Sequence, residues 1–172
     1  MVLSKIFNPT KTLSNKKVLL RKLLADDFDA LKTAMSDPKI WQNHPQHDRY
    51  KLPKIQSWFE DALQENALAI IDKDTSQLIG SSRYYEMDTQ LNEVAIGYTF
   101  LITKHWGGET NLAMKRLMFQ HAWQHFDTVW LHIAEENTRS RCAAEKIGAK
   151  LHHTGIKHDI AYCWYLLPKG SL

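Results

Sequence analysis

The chain is poor in the features that mark several classes of protein. Of its 172 residues only two are cysteine, Cys142 and Cys163. Two thiols build no disulfide framework, and a chain of this length buries enough apolar surface to need none, so a reducing, cytoplasmic setting is expected. No apolar run approaches the ~20 residues that span a bilayer. Met1 to Lys17 has no apolar stretch followed by a small-residue cleavage site, so neither a signal peptide nor a membrane partner is expected. Charge of one sign is also scarce: 22 basic against 19 acidic residues leave +3. A nucleic-acid partner usually needs a clustered basic footprint, which is missing. Seven glycines, five prolines and the absence of repeats exclude collagen-like and low-complexity character. What remains is one globular domain over residues 18–172 behind a polar arm, residues 1–17.

Hydrophobic spacing orders the domain. Val18 to Leu23 alternates as a strand. Asp26 or Asp27 then starts a helix bearing Phe28, Leu31, Ala34 and Met35, which Pro38 interrupts. Lys39 to Lys51 is irregular and rich in aromatics and histidine. Ile55, Trp58, Phe59, Ala62 and Leu63 follow a 3.6 period, predicting a helix over Pro53–Asn66. Ala67–Asp72, Leu78–Met87 and Asn92–Ile102 read as an antiparallel meander.

A long helix follows, with Met114, Leu117, Met118, His121, Ala122 and His125 on one face. Then come a short buried strand, Val129–Ala134, a helix capped by Asn137 or Thr138 and ended by Gly148, and closing strands at Leu151–Thr154 and Ile160–Leu167. The connection from Asn92–Ile102 through the long helix to Val129–Ala134 is a crossover, so those strands should be parallel.

A loop with two glycines between a strand and a helix suits a phosphate, because its N–H groups and the helix dipole favour negative charge. Here it reads Lys104-His105-Trp106-Gly107-Gly108-Glu109-Thr110-Asn111. It is neither a Walker loop nor a dinucleotide fingerprint. The histidine pairs 121/125, 44/47 and 152/153 lack a third ligand at a telling spacing, so no metal site is expected. His121 and His125 read as a packed helix face.

Glu93-Val-Ala-Ile-Gly97-Tyr98, the Trp106-Gly107-Gly108 loop, and Asn137-Thr-Arg-Ser140 ahead of Glu145-Lys-Ile-Gly148 together resemble the GNAT superfamily of acyl-CoA-dependent N-acetyltransferases. Within it they look most like the branch holding the ribosomal-protein alanine N-acetyltransferases. The resemblance covers Val18 to Leu167. It implies an α+β fold with a mixed, mostly antiparallel sheet of six or seven strands, a splayed parallel central pair and flanking helices. It also implies acetyl-CoA as co-substrate and a primary amine as acceptor, a protein N-terminus first and a small amine second. A homodimer is compatible with it.

Carried over by position, Trp106, Gly107, Gly108, Glu109, Thr110 and Asn111 would bind the pyrophosphate. Phe100, Leu101 and Ile102 would pair with the pantetheine arm, and Asn137 would hydrogen-bond it. Ser140 matches a position proposed as general acid toward the leaving thiolate. Two departures stand out. Lys104 and Glu109 occupy the ends of a loop that usually reads (Gln/Arg)-x-x-Gly-x-(Gly/Ala), and Ala95 stands where relatives often carry glutamate. Glu93, two residues earlier on the same strand face, is the candidate base, with Tyr84, Glu86 or a water chain as substitutes. Trp41, Tyr50 and Tyr84 are the candidate acceptor-site residues. Glu109 and Ala95 motivate the rival reading, a catalytically degenerate CoA-binding domain that senses or scaffolds.

Overall fold

The computed structural model describes residues 6–172. Eight strands form one sheet: β1 Leu13–Ser14, β2 Val18–Lys22, β3 Leu68–Asp72, β4 Leu78–Asp88, β5 Glu93–Leu101, β6 Thr128–Ala134, β7 Lys150–Lys157 and β8 Ile160–Leu166. Their order is β1-β2-β3-β4-β5-β6-β8-β7. Four helices accompany them, α1 Phe28–Met35, α2 Leu52–Gln64, α3 Thr110–Ala122 and α4 Thr138–Lys146. This is the mixed α+β architecture expected from the sequence, with one strand more. The addition is the two-residue β1, which pairs antiparallel with β2. Also in the arm, Phe7 stacks on His121 at 4.9 Å between ring centroids. No helix among the described residues is long and apolar enough to cross a membrane.

The period-2 alternation of the strands feeds two cores. Val18, Leu20, Ile70, Ile79, Val94 and Ile96 face α3 and α4. Ala69, Leu78 and Phe100 face α1, α2 and the 3₁₀ turn Pro38–Trp41. In α2 the buried residues are Ile55, Trp58, Phe59 and Ala62, at the expected spacing. The inner face of α3 departs from expectation. It buries Lys115 and Phe119 beside Met114 and Met118, and the helix ends at Ala122, short of His125. Asn137 caps α4 by accepting from the Ser140 N–H at 3.2 Å.

The central pair, β5 and β6, is parallel, as the crossover requires. Only three residue pairs hold it together, Glu93↔Thr128, Val94↔Val129 and Ala95↔Trp130. Beyond them β5 runs on to Leu101 against β4, and β6 to Ala134 against β8, with no partner across the gap. The strands therefore splay toward their C-terminal ends. A bulge lies in the splayed half of β5. Arg83 pairs with Gly97 and Ser81 with Phe100, so Tyr98 and Thr99 oppose the single residue Ser82. Tyr98 takes a φ of 51°, a strained conformation for a large residue.

β4 and β5 approach so closely past the bulge that Gly80 admits no side chain: an added Cβ would lie 2.1 Å from the Phe100 carbonyl oxygen. That oxygen is backbone and cannot yield as the end of a flexible side chain would. Gly80→Ala is expected to cost at least about 1–3 kcal/mol, read as a lower urea midpoint. An unchanged midpoint would show that the two strands separate freely.

Candidate active site

The parity that sends Val94 and Ile96 toward α3 sends Glu93 and Ala95 to the opposite face, beyond the cover of α1 and α2. A cleft of about 190 Å³ opens there at the head of the splay, lined by Glu86, Glu93, Ala95, Trp130, His132, His153 and Trp164. The Glu93 carboxylate accepts the Trp130 indole N–H at 2.9 Å. The carboxylate therefore enters the cleft whose wall Ala95 leaves apolar.

His132 was not anticipated. Its side chain is 6% exposed, its Nδ1 stands 3.5 Å from Glu86 Oε2, and that nitrogen has no hydrogen-bond partner among the described residues. Burial, opposed by Glu86 and assisted by Lys157 and His153, lowers its pKa to about 4. The signal lay in the alternation of Thr128–Ala134: Val129 and Leu131 pack inward, so Trp130 and His132 line the other face.

A second cleft of about 390 Å³ shares Glu86 with the first and lies between the end of α2, β4 and the Tyr98 bulge. Tyr85 and Arg83 line it. Gly97 is required here, since a Cβ would lie 2.7 Å from Tyr85 Cε1. On the α3 side of the bulge the buried Lys115 donates to Thr99 Oγ1 at 3.0 Å. That hydroxyl also meets Ser82 Oγ at 2.7 Å. Burial pulls the lysine down to about 7.

The glycine loop lies at the open end of the splay. None of the backbone N–H groups from Gly107 to Leu112 has a protein partner among the described residues. They are the donors left over at the start of α3. Nothing lies within 4 Å of a Cβ built on Gly107 or Gly108, so the loop is open at both glycines. His105 braces the loop, with Nδ1 3.1 Å from Thr110 Oγ1 and Nε2 3.5 Å from Asp72 Oδ2. The Trp106 indole donates to the Leu101 carbonyl at 2.8 Å. Arg139 places its guanidinium 4.1 Å from the centroid of the Trp106 ring and donates to the Ile40 carbonyl, so one contact bridges the ends of the diverging strands.

Glu109, the departure that would repel an anion, pairs with Lys17 at 3.1 Å, and its side chain is 83% exposed. Its charge is met in solvent and the N–H groups stay open. The loop and the gap beside it thus fit the pyrophosphate and extended arm of CoA.

Other expected residues fall elsewhere. Tyr84 lies on the α3 face, donating to the Met118 carbonyl at 2.9 Å, and belongs to the core; Tyr85, one residue on, faces the cleft. Trp41 is also core: its indole donates to the Met35 carbonyl and its ring packs on Phe100. Tyr50 packs half-buried against the same cluster. Phe100 and Leu101 anchor opposite cores, leaving their backbone as the only part that faces the gap. Asn137 is buried with Oδ1 spent on its cap, so its amide Nδ2 is the group left to donate. Ser140 is half-buried on the first turn of α4, and its hydroxyl has no protein partner among the described residues.

The model of the acetyltransferase (GNAT) domain matches residues 17–150. Among curated proteins none matches. Solved structures match in fold. A GCN5-related N-acetyltransferase from Brucella melitensis has a TM-score of 0.86 at 17% identity, covering 96% of this chain and 81% of that one. A Vibrio cholerae structure assigned provisionally to the ribosomal-protein-serine acetyltransferases gives 0.77 at 12% identity, with coverages of 94% and 99%. Spermidine N-acetyltransferase from Vibrio cholerae, solved with CoA and spermine, gives 0.67 at 14%, with coverages of 89% and 96%.

The His132 environment makes a direct prediction. With an unfolded value near 6.5 and a folded value near 4, the fold binds fewer protons than the unfolded chain between those limits. This stability is complete above about pH 6.5 and is lost as pH falls toward 4. The His132 ring should titrate near 4 by NMR; a midpoint near 6.5 would show that the cleft is open to water.

Proposed function

The chain belongs to the GNAT acetyltransferase family, and from that premise we propose that it transfers an acetyl group from acetyl-CoA to a primary amine, a small amine or a protein N-terminus. One observation carries the reading. The unpaired gap between β5 and β6 has a carboxylate at its closed end and open backbone donors at its mouth. The spermine bound by one structural neighbour supports an amine acceptor, and the provisional assignment of another supports a protein N-terminus.

Acetyl-CoA supplies the thioester whose acyl carbon the amine attacks, the C–N bond forming as the C–S bond breaks. The open N–H groups of 107–112 hold the diphosphate, assisted by the dipole of α3. The edge of β5 beyond Ala95, which has no strand partner across the gap, and the Nδ2 amide of Asn137 hold the extended arm, much as a sheet edge takes an added strand. Glu93, fixed by Trp130, takes the proton the amine must lose to become a nucleophile. Ser140 Oγ gives a proton to the departing sulfur. The degenerate-binder reading loses ground because Glu109 is answered by Lys17 and Glu93 reaches the wall that Ala95 leaves bare.

The test is thiol release from acetyl-CoA against a panel of amines, amino acids and peptides. Ser140→Ala should lower kcat by roughly 10²–10⁴-fold with acetyl-CoA affinity nearly intact. Glu93→Gln should flatten the acidic limb of the pH–rate profile. Wild-type protein that binds acetyl-CoA and releases no thiol with any amine would instead support the binder.

A further inference from the structure

Arg83 has no part in the steps above, yet its setting is unusual. It stands on β4 opposite Gly97, beside the bulge, and is only 8% exposed where it lines the larger cleft. Its guanidinium carbon lies 3.5 Å from the centroid of the Tyr98 ring. Its Nε is buried without a hydrogen-bond partner, and no carboxylate stands within ion-pair distance of it among the described residues. A cation taken out of water is costly unless something answers it, and one aromatic face answers only part.

The neighbouring charges do not supply the answer. Glu86 is engaged by Lys157 and faces His132. Asp61 and Glu65 are exposed at the end of α2. Arg49, a second guanidinium, lies near enough for the two like charges to act on each other. Its bonds go to Gln46 Oε1 at 2.9 Å and toward His44 Nε2 at 3.4 Å, neither of them anionic. Burial, reinforced by the like charge of Arg83 and opposed by the phenols of Tyr98 and Tyr162, lowers Arg49 to about 10.

Arg83, buried beside the bulge with no anion against it and on a surface continuous through Glu86 with the Glu93 cleft, is placed to meet a carboxylate. We infer that Arg83, backed by the positive charge of Arg49, is a subsite for a carboxylate on the acceptor, so that the amine acetylated belongs to a molecule carrying a carboxylate near its amine. This rests on the acetyl-transfer reading above and narrows its acceptor. An arginine fork matches a carboxylate in shape as well as charge. Such a carboxylate could belong to a free amino acid or to an acidic side chain next to a peptide's N-terminus.

The experiment uses the full chain with paired acceptors. One arm takes ω-amino acids of two to six carbons against their methylamides. The other takes tetrapeptides with Glu against Gln in second place. In wild type, kcat/KM should favour the acid of at least one pair by roughly 10–100-fold, the worth of a hydrogen-bonded charge. Arg83→Met should bring that ratio close to one, and Arg83→Lys, which keeps the charge without the fork, should leave it between. The arm that responds identifies the source of the carboxylate. Equal use of acid and amide in both arms by wild type, or an unchanged ratio in a folded Arg83→Met, overturns the subsite.

Binding of 5-acetamidopentanoate and N-acetyl-Glu-peptide by calorimetry needs no turnover. If no acceptor releases thiol, yet wild type binds either probe at least about tenfold more tightly than Arg83→Met, the acetyl-transfer reading fails and the subsite stands. If neither probe distinguishes the two proteins, the subsite fails as well.

Discussion

The architecture depends on the point at which β5 and β6 stop pairing. Up to Ala95 and Trp130 they form a parallel ladder; beyond it each is still held by an outer partner, β4 on one side and β8 on the other. Each strand keeps its own partner along the gap, β5 with β4 through the Tyr98 bulge and β6 with β8. The result is a rigid opening edged with backbone groups that need partners. Water can supply them, and so can an extended ligand that adds itself as a strand. The rest of the site follows from this divergence. The cleft with Glu93 sits where the gap begins, and the glycine loop and the first turn of α4 sit where it ends.

Charge around the opening is sorted by whether it already has a partner. Glu109 is met by Lys17, Glu86 by Lys157, and Asp72 holds the brace on His105. Among the groups that stay unmet are the donors of 107–112, and Arg83 under Tyr98. Both call for negative charge, one at the mouth of the gap and one beside its head. Glu93, the base in the proposed reaction, accepts a neutral indole N–H and has no ion-pair partner among the described residues. Two places with unanswered donors and a carboxylate near one of them are what the proposed reaction, an anionic donor meeting an amine, would use.

Much of this was legible in the sequence because spacing reports local geometry. The period in α2 placed Ile55, Trp58, Phe59 and Ala62, and the helix between two buried strands required the parallel pair. Alternation also placed Glu93 and Ala95 on one face. It does not say which face the helices cover, so it does not separate Tyr84, which joins the core, from Tyr85, which faces the cleft, nor set Trp130 and His132 apart from their buried neighbours. Trp41 follows no period because it sits in a 3₁₀ turn, and its place in the core depends on Phe100, distant in sequence. The partner that answers Glu109 is Lys17, in an arm that shows no pattern of its own. Lys115 breaks the apolar face of α3 and is buried because a bulge on β5 presents Thr99 to it. Contacts between residues far apart in the chain leave no periodic trace.

The claim that the gap and the loop together receive the cofactor can be read directly from amide hydrogen exchange with and without CoA. Binding should slow exchange at residues 107–112 and at the gap-facing amides of β5 beyond Ala95, with the paired segment Glu93–Ala95 unaffected. Protection confined to the cleft lined by Asp61 and Arg83, or no change at the loop and the β5 edge, would contradict the account.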